Sequence, residues 1–304
     1  MQRKSPKKER KKNPFMRYFG RVFRPPSEAY SLILQATIGC SHNQCAFCSM
    51  YKEKKFRVRP LAEIIEDIDT ARASYPFIER VFLADGDALI LPMEVLTEIL
   101  RHIRETIPEC RRVGIYGSPR SILRKTPQEL AELHREGLGI VYLGLESGNE
   151  EVLARMNKGE TAAEIVGAGQ KVKAAGLALS VTAISGLGGT EHWQEHAVDT
   201  AAALSAMKPD YIGLLTLRVY SGTPLEKMVK DGVVTPPNPK QLAHETRVLL
   251  EHIDSEGSVF RSNHASNYLV LAGTLNRDRE AMIAKIDAAL DGKERFRSYV
   301  ELGF

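Results

Sequence analysis

The chain has 304 residues, 43% of them hydrophobic and 26% charged, which is the composition of an ordinary globular protein with room for a large core. No stretch approaches the roughly 20 apolar residues that span a bilayer, and the basic N-terminus lacks the apolar segment of a secretory signal. These features argue against a membrane-spanning or secreted protein, and we expect a cytoplasmic one.

The positive charge of the chain is concentrated at its N-terminus. Residues 1–12 contain seven Lys or Arg and one Glu, whereas the whole chain has a formal net charge of only +4. The rest of the chain is therefore slightly acidic. A short run of like charges is usually solvated, so we predict that residues 1–28 form a basic, disordered tail. Electrostatic binding of nucleic acid is the alternative that we favour less.

From Ser31 onward, short apolar segments alternate with helical patterns. Each apolar segment is bounded by Gly, Asp or Ser, as expected of strands that are buried on both faces. Thr126 and Thr161 each stand three residues before a Glu, in the capping-box pattern that begins a helix. The predicted strands are Leu32–Thr37, Arg80–Ala84, Arg112–Tyr116, Gly139–Leu145, Ala178–Ile184 and Tyr211–Leu217.

Successive strand–helix units predict an α/β protein with about six parallel strands in a partial or full (β/α) barrel. We assign this barrel to residues 29–235. A Pro-Pro-Asn-Pro run at 236–239 interrupts the pattern and introduces a C-terminal extension, residues 236–304. We expect the extension to close the barrel and to contribute to the substrate side, because functional residues of such barrels lie on the loops that follow the strands.

The loop after the first predicted strand contains three cysteines, Cys40, Cys45 and Cys48. Three clustered thiols in an intracellular protein indicate a metal site rather than disulfides, and soft thiolate ligands suit zinc or an iron–sulfur cluster. A structural zinc site normally has four protein ligands, and His42 or Cys110 could supply the fourth. A [4Fe–4S] cluster on three cysteines would instead leave one iron free to bind a small molecule.

This loop resembles the cluster loop of radical S-adenosylmethionine (SAM) enzymes, in which an aromatic residue, here Phe47, precedes the last cysteine. The usual spacing in that family is C-x3-C-x2-C, so the C-x4-C-x2-C of this chain is one residue longer. The resemblance extends over roughly residues 30–230. Within that family, the chain resembles the branch that contains oxygen-independent coproporphyrinogen oxidase and the methylthiotransferases. Further segments that resemble family motifs are Leu83–Asp87, Tyr142–Gly159, Ile184–Glu191 and Gly222–Leu225.

The resemblance implies that Cys40, Cys45 and Cys48 bind a [4Fe–4S] cluster whose free iron holds SAM. Reduction of this cluster, by a partner such as flavodoxin or ferredoxin, would cleave SAM to methionine and a 5′-deoxyadenosyl radical that removes a hydrogen atom from substrate. The positions implied for SAM binding are Phe47 near the adenine, Asp85, Gly86 and Asp87 at the amino group, Arg120 at the carboxylate, and Glu146, Ser185 and Gly186.

The C-terminal extension contains a dense group of polar side chains after a short apolar segment. We expect this group to contact the substrate, a small molecule or a tetrapyrrole-like compound, although the same residues could cap the last helix near residues 278–290. Two other functions remain open: a non-catalytic zinc-stabilised barrel, and a SAM- or haem-binding carrier with this fold. The residues of the polar group are Arg261, Asn263, His264, Asn267 and Tyr268.

Overall fold

A computed structural model describes residues 16–302 of the chain, which form a single α/β architecture. The strands are β1 (Leu32–Gln35), β2 (Thr37–Ile38), β3 (Arg57–Val58), β4 (Arg80–Ala84), β5 (Arg112–Tyr116), β6 (Leu138–Glu146), β7 (Ala178–Ser185), β8 (Tyr211–Thr216), β9 (Val259–Ser262) and β10 (Leu271–Thr274). The helices are α1 (Leu61–Ser74), α2 (Met93–Thr106), α3 (Pro119–Arg124), α4 (Pro127–Arg135), α5 (Glu150–Arg155), α6 (Ala162–Ala174), α7 (Trp193–Met207), α8 (Pro224–Lys230), α9 (Pro239–His252) and α10 (Arg279–Leu290).

Eight strands form the main sheet in the order β1-β4-β5-β6-β7-β8-β9-β10. Neighbouring strands from β1 to β9 are parallel, and β10 is antiparallel to β9. Within residues 16–302, β1 and β10 lie at the two edges of the sheet, so the barrel is partial. Strands β2 and β3 form a separate antiparallel pair, and the cysteine loop connects them.

The predicted fold class is confirmed, and each of the six predicted strands is present within two residues of its predicted ends. Thr126 and Thr161 form the two predicted capping boxes with Glu129 and Glu164. The sequence pattern missed β9, which is the seventh parallel strand. It is only four residues long and includes an exposed Arg261, so it lacks the apolar run by which the other strands were recognised.

The two faces of the sheet have different environments. Alternate residues such as Leu34, Val81 and Ile115 are fully buried in the main core, which includes the buried faces of the surrounding helices. On the inner face, the rings of Phe82, Tyr116 and Tyr142 make edge contacts with centroids 4.9–6.1 Å apart.

The N-terminal residues 16–28 are bound to the barrel. Arg17 forms a salt bridge of 3.1 Å with Asp67 on α1, and the Tyr18 hydroxyl donates to the Ile33 carbonyl over 2.7 Å. Glu28 is completely buried and pairs with Arg112 at the start of β5. These contacts correct the predicted tail for residues 16–28, and the rest of that tail, residues 1–15, lies outside the described residues.

The described part of the C-terminal extension continues the same sheet. Strand β9 pairs with β8, and β10 adds the antiparallel edge. Helices α9 and α10 pack against each other, and α9 also packs against α7. No helix in residues 16–302 is both long and apolar enough to cross a membrane.

Candidate functional site

The cysteine loop lies at the carboxyl end of the sheet and is anchored on both sides. The Ala46 amide donates to the Met156 carbonyl over 2.8 Å, and the Ala46 carbonyl accepts from the Leu225 amide over 3.1 Å. The loop is thereby held between the segments that follow β6 and β8. Its three cysteines, Cys40, Cys45 and Cys48, are all half-buried and free of disulfides.

The three thiols lie close enough to influence one another. Burial raises the pKa of the Cys45 thiol to about 12, and Cys48 and Cys40 act in the same direction. Burial also raises the pKa of Cys48. Thiolates gathered in so apolar a place require a compensating positive charge, which a bound metal centre supplies. The donor set therefore fits a metal–sulfur group.

The two candidates for a fourth protein ligand of a zinc site differ in their positions. The His42 ring nitrogen Nε2 is hydrogen-bonded to the Asn157 carbonyl over 2.7 Å. Cys110 follows α2 just before β5 begins, at the opposite end of the sheet from the cysteine loop. Among residues 16–302, no three His, Cys, Asp or Glu side chains are arranged to hold a single metal ion. A zinc ion would require its thiolates within about 3.8 Å of each other, whereas a cluster spreads them over several irons.

Asp85, predicted to receive the amino group of SAM, is completely buried and supports the cysteine loop. Its Oδ2 atom accepts hydrogen bonds from the Lys54 ammonium at 2.8 Å, the Gln35 amide at 2.8 Å and the Gly39 backbone N–H at 3.0 Å. Gly39 directly precedes the first cysteine. The carboxylate therefore fixes the start of the loop, a role that sequence spacing did not reveal.

Asp87 is equally buried and is surrounded by serine donors. Its carboxylate accepts from the hydroxyls of Ser41, Ser118 and Ser121 and from the backbone N–H of Ser118. Ser41 belongs to the cysteine loop, whereas Ser118 and Ser121 cap and begin α3 after β5. Asp87 thus connects two loops at the carboxyl end of the sheet, and the described structure leaves its oxygens little capacity for a ligand.

Gly86 lies between these two aspartates, where close packing leaves no room for a side chain. A Cβ atom at this position would lie 2.6 Å from Cε2 of Tyr51 and 3.0 Å from Cβ of Cys40. The Gly86 amide donates to the Gly39 carbonyl over 3.2 Å. The turn therefore brings its backbone next to the cysteine loop.

Glu146 ends β6 in a left-handed backbone conformation with φ of 65°. Its carboxylate forms a salt bridge of 3.2 Å with Lys158, and both side chains are largely buried. Burial lowers the pKa of Lys158, but Glu146 and Cys45 outweigh it and leave the pKa raised. Lys158 is therefore a cation beside the cysteine loop. The motif Tyr142–Gly159 contains Lys158 but does not by itself indicate this charge.

Arg120, predicted to pair with the SAM carboxylate, is paired with an acidic side chain in the structure. It lies on α3, its side chain is 52% exposed, and its nearest ion pair is to Glu160 at 3.8 Å. By contrast, Phe47 packs on an apolar cluster that includes Ile184 and Leu187. Phe47, predicted to lie near the adenine, is therefore close to the end of β7.

Ser185 ends β7, and Gly186, which follows it, has φ of 86°. The Gly186 amide donates to a carboxylate oxygen of Glu245 on α9 over 2.7 Å. Burial raises the pKa of Glu245 to about 7. Because Glu245 lies in the C-terminal extension, 59 residues from Gly186, no local pattern indicated this contact.

The structure divides the polar group of the C-terminal extension. Asn267 is buried, and its amide donates to the Leu214 carbonyl over 3.0 Å and to the Ser262 hydroxyl over 2.8 Å, so it holds the strand ends together. The His264 ring is hydrogen-bonded to Ser266 at 2.9 Å. Arg261 pairs in register with Gly213 and so projects from the inner face of the sheet. Asn263 is exposed and Tyr268 is half-buried.

The partial (β/α) barrel and the three-cysteine loop at its carboxyl end define a barrel protein with a metal–sulfur centre. The sequence profile of the Radical SAM superfamily matches residues 34–201, which is more than half of the chain. The chain therefore belongs to the radical SAM superfamily, and a [4Fe–4S] cluster and SAM are the cofactors of its family. No curated protein matches the chain by sequence.

Solved structures support the fold. The radical SAM methyltransferase TsrM from Kitasatospora setae, with cobalamin and a [4Fe–4S] cluster bound, is 20% identical with a TM-score of 0.55, and the match covers 72% of this chain and 45% of that chain. Methylornithine synthase (PylB) is 15% identical with a TM-score of 0.53, and the match covers 88% of this chain and 74% of that one. The chain thus spans less than half the length of TsrM, and these likenesses show the fold alone.

Proposed function

We propose that this protein is a radical SAM enzyme that binds its [4Fe–4S] cluster through Cys40, Cys45 and Cys48. The observation that carries the proposal is the arrangement of these thiols. One anchored loop presents three half-buried cysteines at the carboxyl end of a partial barrel. Within residues 16–302 no further His, Cys, Asp or Glu is grouped with the cysteines as a metal site, and Cys110 lies elsewhere, which leaves one coordination position for a small molecule.

When bound and reduced, the cluster supplies the electron that cleaves SAM to methionine and a 5′-deoxyadenosyl radical, which abstracts hydrogen from substrate. The chain's own residues orient these partners. Phe47 offers an apolar surface near the end of β7 for the adenine. The turn at Gly86 offers backbone groups at the amino-acid end of SAM, beside Cys40. Glu146 and Lys158 provide opposite charges next to the loop.

We place the substrate against the inner face of β7 to β9. Thr182, Gly213 and Arg261 stand side by side on these strands. A Cβ atom at Gly213 would approach only the Val181 carbonyl, at 4.0 Å, so the space above this glycine is open. The NH1 atom of Arg261 donates to two backbone carbonyls, and its other N–H groups make no hydrogen bond within residues 16–302. A free guanidinium edge favours a small substrate with a carboxylate or phosphate group.

The test of the reaction class is anaerobic purification, reconstitution with iron and sulfide, reduction with dithionite, and measurement of 5′-deoxyadenosine. Cys45→Ala should abolish the product, whereas Cys110→Ala, at a cysteine outside the loop, should retain it. One bound zinc with intact SAM would overturn the proposal in favour of a zinc-stabilised barrel. SAM binding without 5′-deoxyadenosine would instead favour a carrier.

The substrate side is tested with a panel of small carboxylates and phosphates, scored by their stimulation of 5′-deoxyadenosine formation. Gly213→Leu fills the open space on the inner face, and Arg261→Gln removes the charge that faces it. We expect both variants to keep basal SAM cleavage and to lose stimulation by the anion that activates the wild type. Stimulation by neutral compounds alone, or stimulation that both variants retain, would contradict this placement.

A further inference from the structure

Tyr51, three residues after the last cysteine of the loop, has a buried hydroxyl without a partner. The residue is 4% exposed, and its hydroxyl makes no hydrogen bond to any atom of residues 16–302. Buried hydroxyls almost always have a partner, because an unpaired one loses its bonds to water without replacement. A phenylalanine would fill the same space without this cost. The hydroxyl therefore points to a partner that joins the protein from outside the chain.

The ring of Tyr51 is held in position from three directions. Phe23, in the N-terminal segment, makes an edge contact with centroids 5.5 Å apart. The Lys54 ammonium lies 5.6 Å from the ring centroid. The absence of a side chain at Gly86 provides the space for Cε2. These contacts fix the ring, so the position of its hydroxyl oxygen is fixed as well.

The surroundings of the hydroxyl lie at one end of the proposed cofactor site. Burial raises the pKa of Tyr51 well above its usual range, and Tyr116, Asp85, Cys40 and Cys48 raise it further. These neighbours belong to the cysteine loop, to the turn after β4 and to the inner face of β5. Phe47 and the end of β7 lie in a separate apolar cluster. Tyr51 is thus at the Gly86 turn and away from the surface offered to the adenine.

We propose that the Tyr51 hydroxyl hydrogen-bonds to the amino-acid end of bound SAM and is a binding residue of this chain for that cofactor. The inference rests on the proposed function. A phenol can donate to a carboxylate and accept from an ammonium, so it suits both polar groups at that end. The ligand would satisfy the hydroxyl, and the fixed ring would lower the entropy lost on binding.

The experiment compares wild type, Tyr51→Phe and the control Tyr142→Phe, all reconstituted with the cluster. The Tyr142 hydroxyl already pairs with Glu28 and, at 3.0 Å, with Ser27, so its removal takes away a protein hydrogen bond. Three quantities are measured: the Kd for SAM with the cluster oxidised, the thermal unfolding temperature without SAM, and the EPR spectrum of the reduced cluster without SAM.

We expect Tyr51→Phe to weaken SAM binding about tenfold, since a hydrogen bond to a charged group contributes at least that much. Its unfolding temperature and iron content should be at least those of wild type, because no hydrogen bond within the protein is lost. Its EPR spectrum without SAM should be the same as that of wild type. Tyr142→Phe should show the reverse, with a lower unfolding temperature and an unchanged Kd.

An unchanged Kd for Tyr51→Phe would overturn the inference. So would a lower unfolding temperature or iron content, which would reveal a protein partner, or an altered SAM-free EPR spectrum, which would reveal a bond to the cluster. Failure of the wild type itself to bind SAM would refute the proposed function instead.

Discussion

Asp87→Asn is the substitution that best separates a structural carboxylate from a cofactor-binding one. The buried Asp87 carboxylate accepts four hydrogen bonds, three from serine hydroxyls and one from a backbone N–H. Asparagine retains one acceptor oxygen, but its NH2 group replaces the other oxygen and is itself a donor that faces donors. The hydroxyls can turn to accept from this group, but each then loses a bond to a charged partner.

The expected loss follows from these bonds. A hydrogen bond to a charged group contributes about 1.5–3 kcal/mol, and the serines can partly re-form their contacts, so we expect destabilisation of about 2–4 kcal/mol. For 304 residues, with about 2.1 cal/mol/K of unfolding entropy each, every kcal/mol lowers the unfolding temperature by about 1.6 °C. Because Ser41 lies between Cys40 and His42, iron retention should fall as well. Ser121→Ala, which removes the bond of 2.7 Å to Asp87 and the bond of 3.0 Å from the Ser118 hydroxyl, should cost about 1.5 kcal/mol.

Thermal unfolding, iron content and the Kd for SAM are measured on the reconstituted wild type and on both variants. If Asp87 connects the two loops, stability and iron content fall together in Asp87→Asn and fall less in Ser121→Ala. Wild-type stability and iron content combined with a large loss of SAM affinity would refute this reasoning. That outcome would support the role in SAM binding that the sequence predicts for Asp87.

Two further predictions concern the ends of β7 and β4. Burial raises the pKa of Glu245 to about 7 from an ordinary value of 4.5, so the folded protein binds this proton more tightly than the unfolded chain and loses stability as pH rises between these values. The free energy of unfolding of Glu245→Gln should therefore rise relative to that of wild type over this pH range and stay level above it. Urea unfolding of both proteins at pH 5 and pH 8 measures this change. The same difference between the two proteins at both pH values would contradict the prediction. Gly86→Ala places a methyl group 2.6 Å from the Tyr51 ring and 3.0 Å from Cys40, so iron incorporation should fall. Gly167→Ala, on the surface of α6 with nothing within 4 Å, should not lower it, and equal iron loss in both would argue against crowding at the turn.

The sequence predicted the features that local chemistry determines. Buried parallel strands require continuous apolar segments, and a helix start requires a cap within three residues, so the six strands and the capping boxes at Thr126 and Thr161 were recognisable. The cysteine spacing likewise indicated the metal–sulfur loop, because its three cysteines lie within nine residues. The short strand β9 escaped detection because its apolar pattern is interrupted by Arg261.

Only the tertiary structure determined what the polar residues near the loop do. A carboxylate at the end of a strand can hold a ligand or hold the protein together, and the outcome depends on donors from distant segments. Asp85 meets Lys54 from 31 residues away, and Asp87 meets Ser118, also 31 residues away. Glu245 reaches Gly186 across 59 residues. The unpaired hydroxyl of Tyr51 is visible only once its neighbours are in place, because burial and hydrogen bonding are properties of the assembled fold and not of the local sequence.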